Sequence, residues 1–274
     1  MFEELKGIQG VRNVKQTTKG SLEKLVELGS QLEREITAES SGYLTLFQER
    51  LPELYNIVKD ADISYNEHDI QDLAVALSSQ EPQNPKIRGV YIGALVSLLT
   101  EKNNKKGKRT IVELDLKGSE FPYLCAGAKY ADVLMIKNVK GDCIGEGIAY
   151  NRGQAGIVIL QDIIGEYAGW RIARDHGQAG IVILQDIIGE YAGWSIARDH
   201  GQAGIISAKN IESNYVGDCG NYDILDNKGK YSSQIREFTD GMIKKYSESR
   251  MTFEELMEEI GKFTKGIKSG GEDV

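Results

Sequence analysis

One segment of this chain is written twice. Residues 153–176 read GQAGIVILQDIIGEYAGWRIARDH; residues 177–200 repeat them with one change, Arg171 becoming Ser195, and a third GQAGI opens at Gly201. A repeat constrains architecture more than any local propensity, because each unit must bury its apolar face against the next. Weaker copies continue the frame on both sides. VKGDCIG at 139–145 matches IIGEYAG at 163–169, IESNYVG at 211–217 keeps the same spacing, and VLMI at 133–136 answers IVIL at 157–160. A fainter copy, Leu116-Lys117-Gly118, places the start near Thr110.

A period of 24 residues is too short for a pair of packed helices, which takes about 33 or more, but fits one coil of a parallel β-helix. Each unit carries a β-branched run (Ile157, Val158, Ile159, then Ile163, Ile164) and glycines at Gly153, Gly156, Gly165 and Gly169, where the chain must turn without Cβ conflict. The spacing therefore predicts an α+β chain: a parallel β-helix of about four to five coils over 109–225, between an N-terminal helical bundle (1–105) and C-terminal helices (230–268), with a tail at 269–274.

In such a stack each repeat position becomes a column along the axis. Three glycine columns follow: Gly141, Gly165, Gly189; Gly145, Gly169, Gly193; and Gly153, Gly177, Gly201. Asn138, Asp162, Asp186 and Asn210 form a corner column, since Asn and Asp tolerate left-handed backbone and bond their own turn. Cys143, Tyr167, Tyr191 and Tyr215 form another, and Trp170 lies over Trp194. His176 over His200, with Arg152 one coil earlier, is the only histidine pair available; a metal site there would take Asp175 or Asp199 as a third ligand. The plainer reading is an exposed Asp-His-Gly corner copied with its coil, so no metal and no cofactor is expected.

The flanks read as helical. Ser21 precedes a stripe of Leu22, Leu25, Leu28, Leu32 and Ile36; Asn66 stands where a cap would precede Ile70, Leu73, Val75 and Leu77; and Pro82 and Pro85 separate that helix from one at 87–99. After the turn signal Asp226-Asn227-Lys228-Gly229, Ser232 or Ser233 opens a helix with Ile235, Phe238, Met242 and Ile243, and Thr252 with Glu255 forms a capping box. These helices are expected to cap the open strand edges at the two ends of the solenoid.

A net charge of −8 argues against nucleic acid and anionic membranes, both polyanions. The basic cluster Lys102, Lys105, Lys106, Lys108 and Arg109 reads as a solvated linker. Cys125, Cys143 and Cys219 form no CxxC pair and read as reduced thiols; with an acidic N-terminus and no long apolar run, a cytoplasmic protein is expected.

The strings GEYAGWRIARDHGQAGIVIL and GEYAGWSIARDHGQAGII resemble the glycine-patterned β-helix that ends the large subunit of glutamate synthase and is shared by the C subunit of formylmethanofuran dehydrogenase. The resemblance covers roughly residues 117–221. It implies a right-handed coil and a scaffolding role, and it carries over no catalytic residue. No nucleophile, phosphate-loop or metalloprotease motif is present. The expectation is a non-catalytic scaffold or protein-interaction module, acting on a protein partner or as a homo-oligomer, with one coil duplicated recently or inserted by design. The alternative is a carbohydrate-active or other β-helix enzyme using the face carboxylates Asp162, Asp186, Glu166 and Glu190.

Overall fold

The computed structural model describes residues 19–36, 51–213, 220–226, 231–248 and 251–269. Tyr215, Cys219, the turn at 227–229 and the tail from 270 lie outside the described residues. Six strands, β1 (Ile111–Glu120), β2 (Tyr130–Lys140), β3 (Gln154–Ile164), β4 (Gln178–Ile188), β5 (Gln202–Glu212) and β6 (Asn221–Asp226), pair in sequence order in one parallel sheet. Ile157 lies on Ile181 and Ile181 on Ile205, so equivalent positions of the repeat are stacked.

The frame shortens at both ends. Ile111 lies on Val133, two residues short of a full coil, and Gln202 lies on Asn221, five short. Between the pairs Asp115 with Lys137 and Ser119 with Val139, residues 116–118 stand opposite Asn138 alone. Leu116-Lys117-Gly118 is therefore a corner bulge and not a copy of 139–141; the residue facing Gly141 is Phe121, whose N–H donates to Lys140 O at 2.7 Å.

Each central coil is a strand followed by a ribbon of turns. In the ribbon, Tyr167, Gly169, Arg171 and Ala173 have φ of +60°, +67°, +61° and +54°, so left-handed residues alternate along it. Trp170 N–H closes a turn on Tyr167 O at 3.1 Å, while Gly169 N–H reaches Ile144 O of the coil before at 2.8 Å and Arg171 N–H reaches Trp194 O of the coil after at 3.0 Å. The ribbon thus satisfies its buried backbone between coils as a sheet does. At the columns Gly153, Gly177, Gly201 and Gly165, Gly189 the coils approach so closely that a Cβ would run into a carbonyl of the coil below, such as Ala149 O beneath Gly177.

Both faces of the strands are buried, which is why the run IVIL is continuously apolar rather than alternating. Val158, Leu160 and Ile163 join Ala168, Ile172 and Ala173 inside the coil. Ile157, Ile159, Ile181, Ile183 and Ile205 face outward, where α5 (Ser232–Ser247) and α6 (Phe253–Ser269) cover them with Met242, Tyr246, Leu256 and Ile260. These helices lie across the outer face of the sheet, a correction to the expectation that they cap its far end. Gly156, read as a turn residue, sits within β3: a Cβ there would meet Tyr246 Oη at 2.9 Å, and one at Gly180 would meet Leu256 Cδ2 at 2.7 Å.

The N-terminal helices do cap the first coil. They are α1 (Lys19–Glu35), α2 (Leu51–Asp60), α3 (Glu67–Ser78) and α4 (Pro85–Asn104), and their core is continuous with the coil interior. Gln71 of α3 closes the edge of β1 by donating Nε2–H to Asp115 O and accepting Asp115 N–H at Oε1, both at 3.1 Å. Along α4, Gly89 and Gly93 let the helix press on the carbonyls of Tyr123 and Ala126, and Ser97 Oγ accepts Lys129 N–H at 2.8 Å. The buried pair of Arg88 Nε with Glu33 Oε1 at 2.6 Å ties α4 to α1.

The capping signals divide. Asn66 caps α3 as expected, with Asp69 completing a capping box, and Thr252 with Glu255 makes the expected capping box. Ser21 lies inside α1, which begins at Lys19, and the cap position of α5 is Tyr231 rather than Ser232 or Ser233, with no side-chain cap bond at Tyr231. Arg109 is not part of a solvated linker: it donates Nε–H to Met251 O at 2.8 Å and pairs with Asp132 at 3.3 Å, joining β2 to the C-terminal helices. Among the described residues no helix is long and apolar enough to cross a membrane.

Candidate functional site

The turn ribbon turns Ala168, Ile172 and Ala173 into the core and leaves Tyr167, Trp170 and Arg171 half-buried on the outside. Because the next coil repeats the pattern, the outward side chains stack. Tyr167 and Tyr191 lie at 4.6 Å between ring centroids and 5° between planes; Trp170 and Trp194 lie at 5.6 Å and 1°. Tyr167 leans against Trp170 at 5.0 Å, and the Arg171 guanidinium lies 3.9 Å from the centre of the Trp170 ring. The result is a patch of two tyrosines, two tryptophans and an arginine, each held by its neighbours and by the ribbon beneath.

Below Trp170 in its column is Glu146, a residue that the sequence reading passed over. It is fully buried, and neither carboxyl oxygen has a hydrogen-bond partner among the described residues. Burial pushes its pKa up to about 9 against the attraction of Arg171, so the carboxyl is protonated at neutral pH. The single difference between the two copies lies one position further along the ribbon, at Arg171 and Ser195. Arg171 faces a coil that carries a carboxyl, whereas the coil beneath the buried Ser195 carries Trp170 at that level. The available signal was the column itself: an acid beneath two tryptophans, between Gly145 and Gly147.

The corner column has the backbone expected of it. Asn138, Asp162, Asp186 and Asn210 have φ of +52°, +54°, +53° and +54°. Asn210 Nδ2–H donates to Asp186 Oδ1 at 2.7 Å, Gln185 Nε2–H to Asp186 Oδ2 at 2.8 Å, and Asn138 Nδ2–H to Asp115 Oδ1 at 3.0 Å. The bonds from Asn210 and Gln185 hold the Asp186 carboxyl below the usual range, the opposite of what a proton donor to a glycosidic oxygen needs. Asp162 accepts from Gln161 at 3.0 Å, and Glu166 and Glu190 are exposed at the following turn.

His176 and His200 stack at 5.0 Å, tilted by 32°, with left-handed φ of +63° and +66°. Asp175 Oδ1 lies 3.3 Å from His176 Nδ1, while Asp199 is taken by Arg174 at 2.5 Å. Among the described residues no three His, Cys, Asp or Glu side chains converge as metal ligands. Cys125 and Cys143 are free and buried; burial pushes the Cys143 thiol up to about 11. Comparison of the chain with family models, with curated proteins and with solved structures gave no match.

Proposed function

We propose that the chain is a non-catalytic β-solenoid scaffold that associates with a second copy of itself through the stacked aromatic columns. The observation that carries this reading is the outward patch of Tyr167, Trp170, Arg171, Tyr191 and Trp194. Trp, Tyr and Arg dominate the energetic centres of protein interfaces, and side chains already fixed by stacking lose little entropy on docking. Ile164 and Ile188, paired across β3 and β4 and 49% and 50% exposed, add apolar surface three residues before each tyrosine.

A patch with an internal one-coil repeat is suited to a two-fold partner. Turned about a two-fold axis, the column of one copy sets Trp170 against Trp194 of the other, so the same surface serves both sides. The resemblance to a β-helix that acts as scaffolding, and the structural partners of the corner carboxylates, support the same conclusion. The buried free thiols support a reducing, cytoplasmic location, and the near-identical coils support a recent or deliberate duplication.

Sedimentation velocity over a range of concentrations tests the proposal. A dimer is expected, dissociating to monomer in the double variant Trp170→Ala/Trp194→Ala while the far-UV circular dichroism stays unchanged. A wild-type chain that remains monomeric, or a dimer indifferent to the double substitution, overturns it.

A further inference from the structure

A second feature lies away from the aromatic columns, where α2 and the end of α4 meet the ribbon of the first two coils. There a half-open cavity of about 250 Å³ is lined by Pro52, Tyr55, Glu101, Lys129, Tyr130 and Tyr150. Drug-sized pockets span roughly 300–1,000 Å³, so this one suits a molecule of metabolite size.

Its polar groups are set out in a definite way. Tyr55 donates its phenol proton to Glu101 Oε2 at 2.5 Å. Burial first, and then that bond, raise the Tyr55 pKa, so the phenol stays a donor and the carboxylate is fixed in place. Glu101 Oε1 has no hydrogen-bond partner among the described residues. Lys129 places its ammonium 5.5 Å from the centre of the Tyr130 ring and pairs with no carboxylate among the described residues. The cavity thus offers one anion, one cation and three aromatic rings, with the two charges not spent on each other.

We propose that this cavity binds a free α-amino acid. The ligand's ammonium takes Glu101 Oε1 with tyrosine faces around it, its carboxylate takes the Lys129 ammonium, and its side chain lies among the rings and Pro52. A purely cationic ligand would meet Lys129 and a purely anionic one Glu101, each unmatched at one end, whereas a zwitterion matches both charges.

Isothermal titration calorimetry on the full chain tests this, using the twenty protein amino acids one at a time, and then the N-acetyl and amide derivatives of the best binder. At least one amino acid is expected to bind with Kd below about 1 mM, and each derivative to bind at least about tenfold more weakly. Glu101→Gln, which keeps an acceptor for Tyr55, and Lys129→Met should each weaken binding by at least about tenfold with wild-type circular dichroism. The inference is overturned if no amino acid binds, if the blocked derivatives bind equally well, or if either folded variant binds like the wild type. The cavity does not rest on self-association: calorimetry and sedimentation can fail independently.

Discussion

The left-handed corners are held by side-chain chemistry. A residue with a Cβ at such φ costs about 1–2 kcal/mol, and least for Asn and Asp, whose short polar chains bond locally. Asp186, at φ +53° and bonded to Asn210 and Gln185, should lose about 2 kcal/mol as Asp186→Val by urea unfolding, while Asp186→Asn stays within about 0.5 kcal/mol. Glu146 behaves differently. With a folded pKa of about 9 against an ordinary 4.5, it gives no penalty below the lower value, where both states hold the proton. Above it the unfolded chain releases the proton and the folded one keeps it, so stability falls as pH rises toward the folded value and levels off beyond. The slope is at most about 1.4 kcal/mol per pH unit. Glu146→Gln should therefore melt higher than the wild type at pH 8 and alike at pH 4 in thermal scans; equal melting at both pH values contradicts its burial as an acid. The corner column was legible because Asn and Asp recur at the coil spacing. Glu146 was not, because Gly145-Glu146-Gly147 has the composition of a solvated turn and its burial comes from the neighbouring coil.

Among elements, the strand of each coil has two tasks that one period reports together. Val158 and Leu160 face the interior and Ile157 and Ile159 face α5 and α6; the run IVIL discloses burial on both sides but not which neighbour covers which. That is why the C-terminal helices were expected at an end and were found across the face. Gly156 and Gly180 mark their seat, and glycine within a strand was the overlooked signal. Gly180→Ala should destabilise by about 1–3 kcal/mol in chemical denaturation, since the new methyl meets Leu256 and a carbonyl of the coil below. Gly241→Ala, on α5 with open space around it, should instead stabilise by about 0.5–1 kcal/mol. A Gly180→Ala chain as stable as the wild type would mean that α6 does not rest there.

The solenoid as an object was readable from the repeat alone, because copies 24 residues apart leave few architectures that bury every unit. The shortened first and last coils were not readable, since end coils meet helices or the sheet edge and are released from the frame. Binding surfaces were the least readable: the stacked rings follow from the columns, but the cavity of Tyr55, Glu101 and Lys129 joins residues from helix and ribbon that no spacing connects. If coils are interchangeable, deleting residues 177–200 should leave a chain with a cooperative melt and a β-rich spectrum, because every column stays in register. Deleting about half a coil should abolish the cooperative transition, because it carries core residues to the outside. Stacking of equivalent positions is tested most directly by cross-linking. Gln154 and Gln178 are paired on neighbouring strands, their side chains 3.4 Å apart, a position within reach of a disulfide. Oxidation of Gln154→Cys/Gln178→Cys should yield linked tryptic peptides by mass spectrometry, and Gln154→Cys/Gln185→Cys should not; linkage of the second pair, or of neither, would contradict the stacked coil.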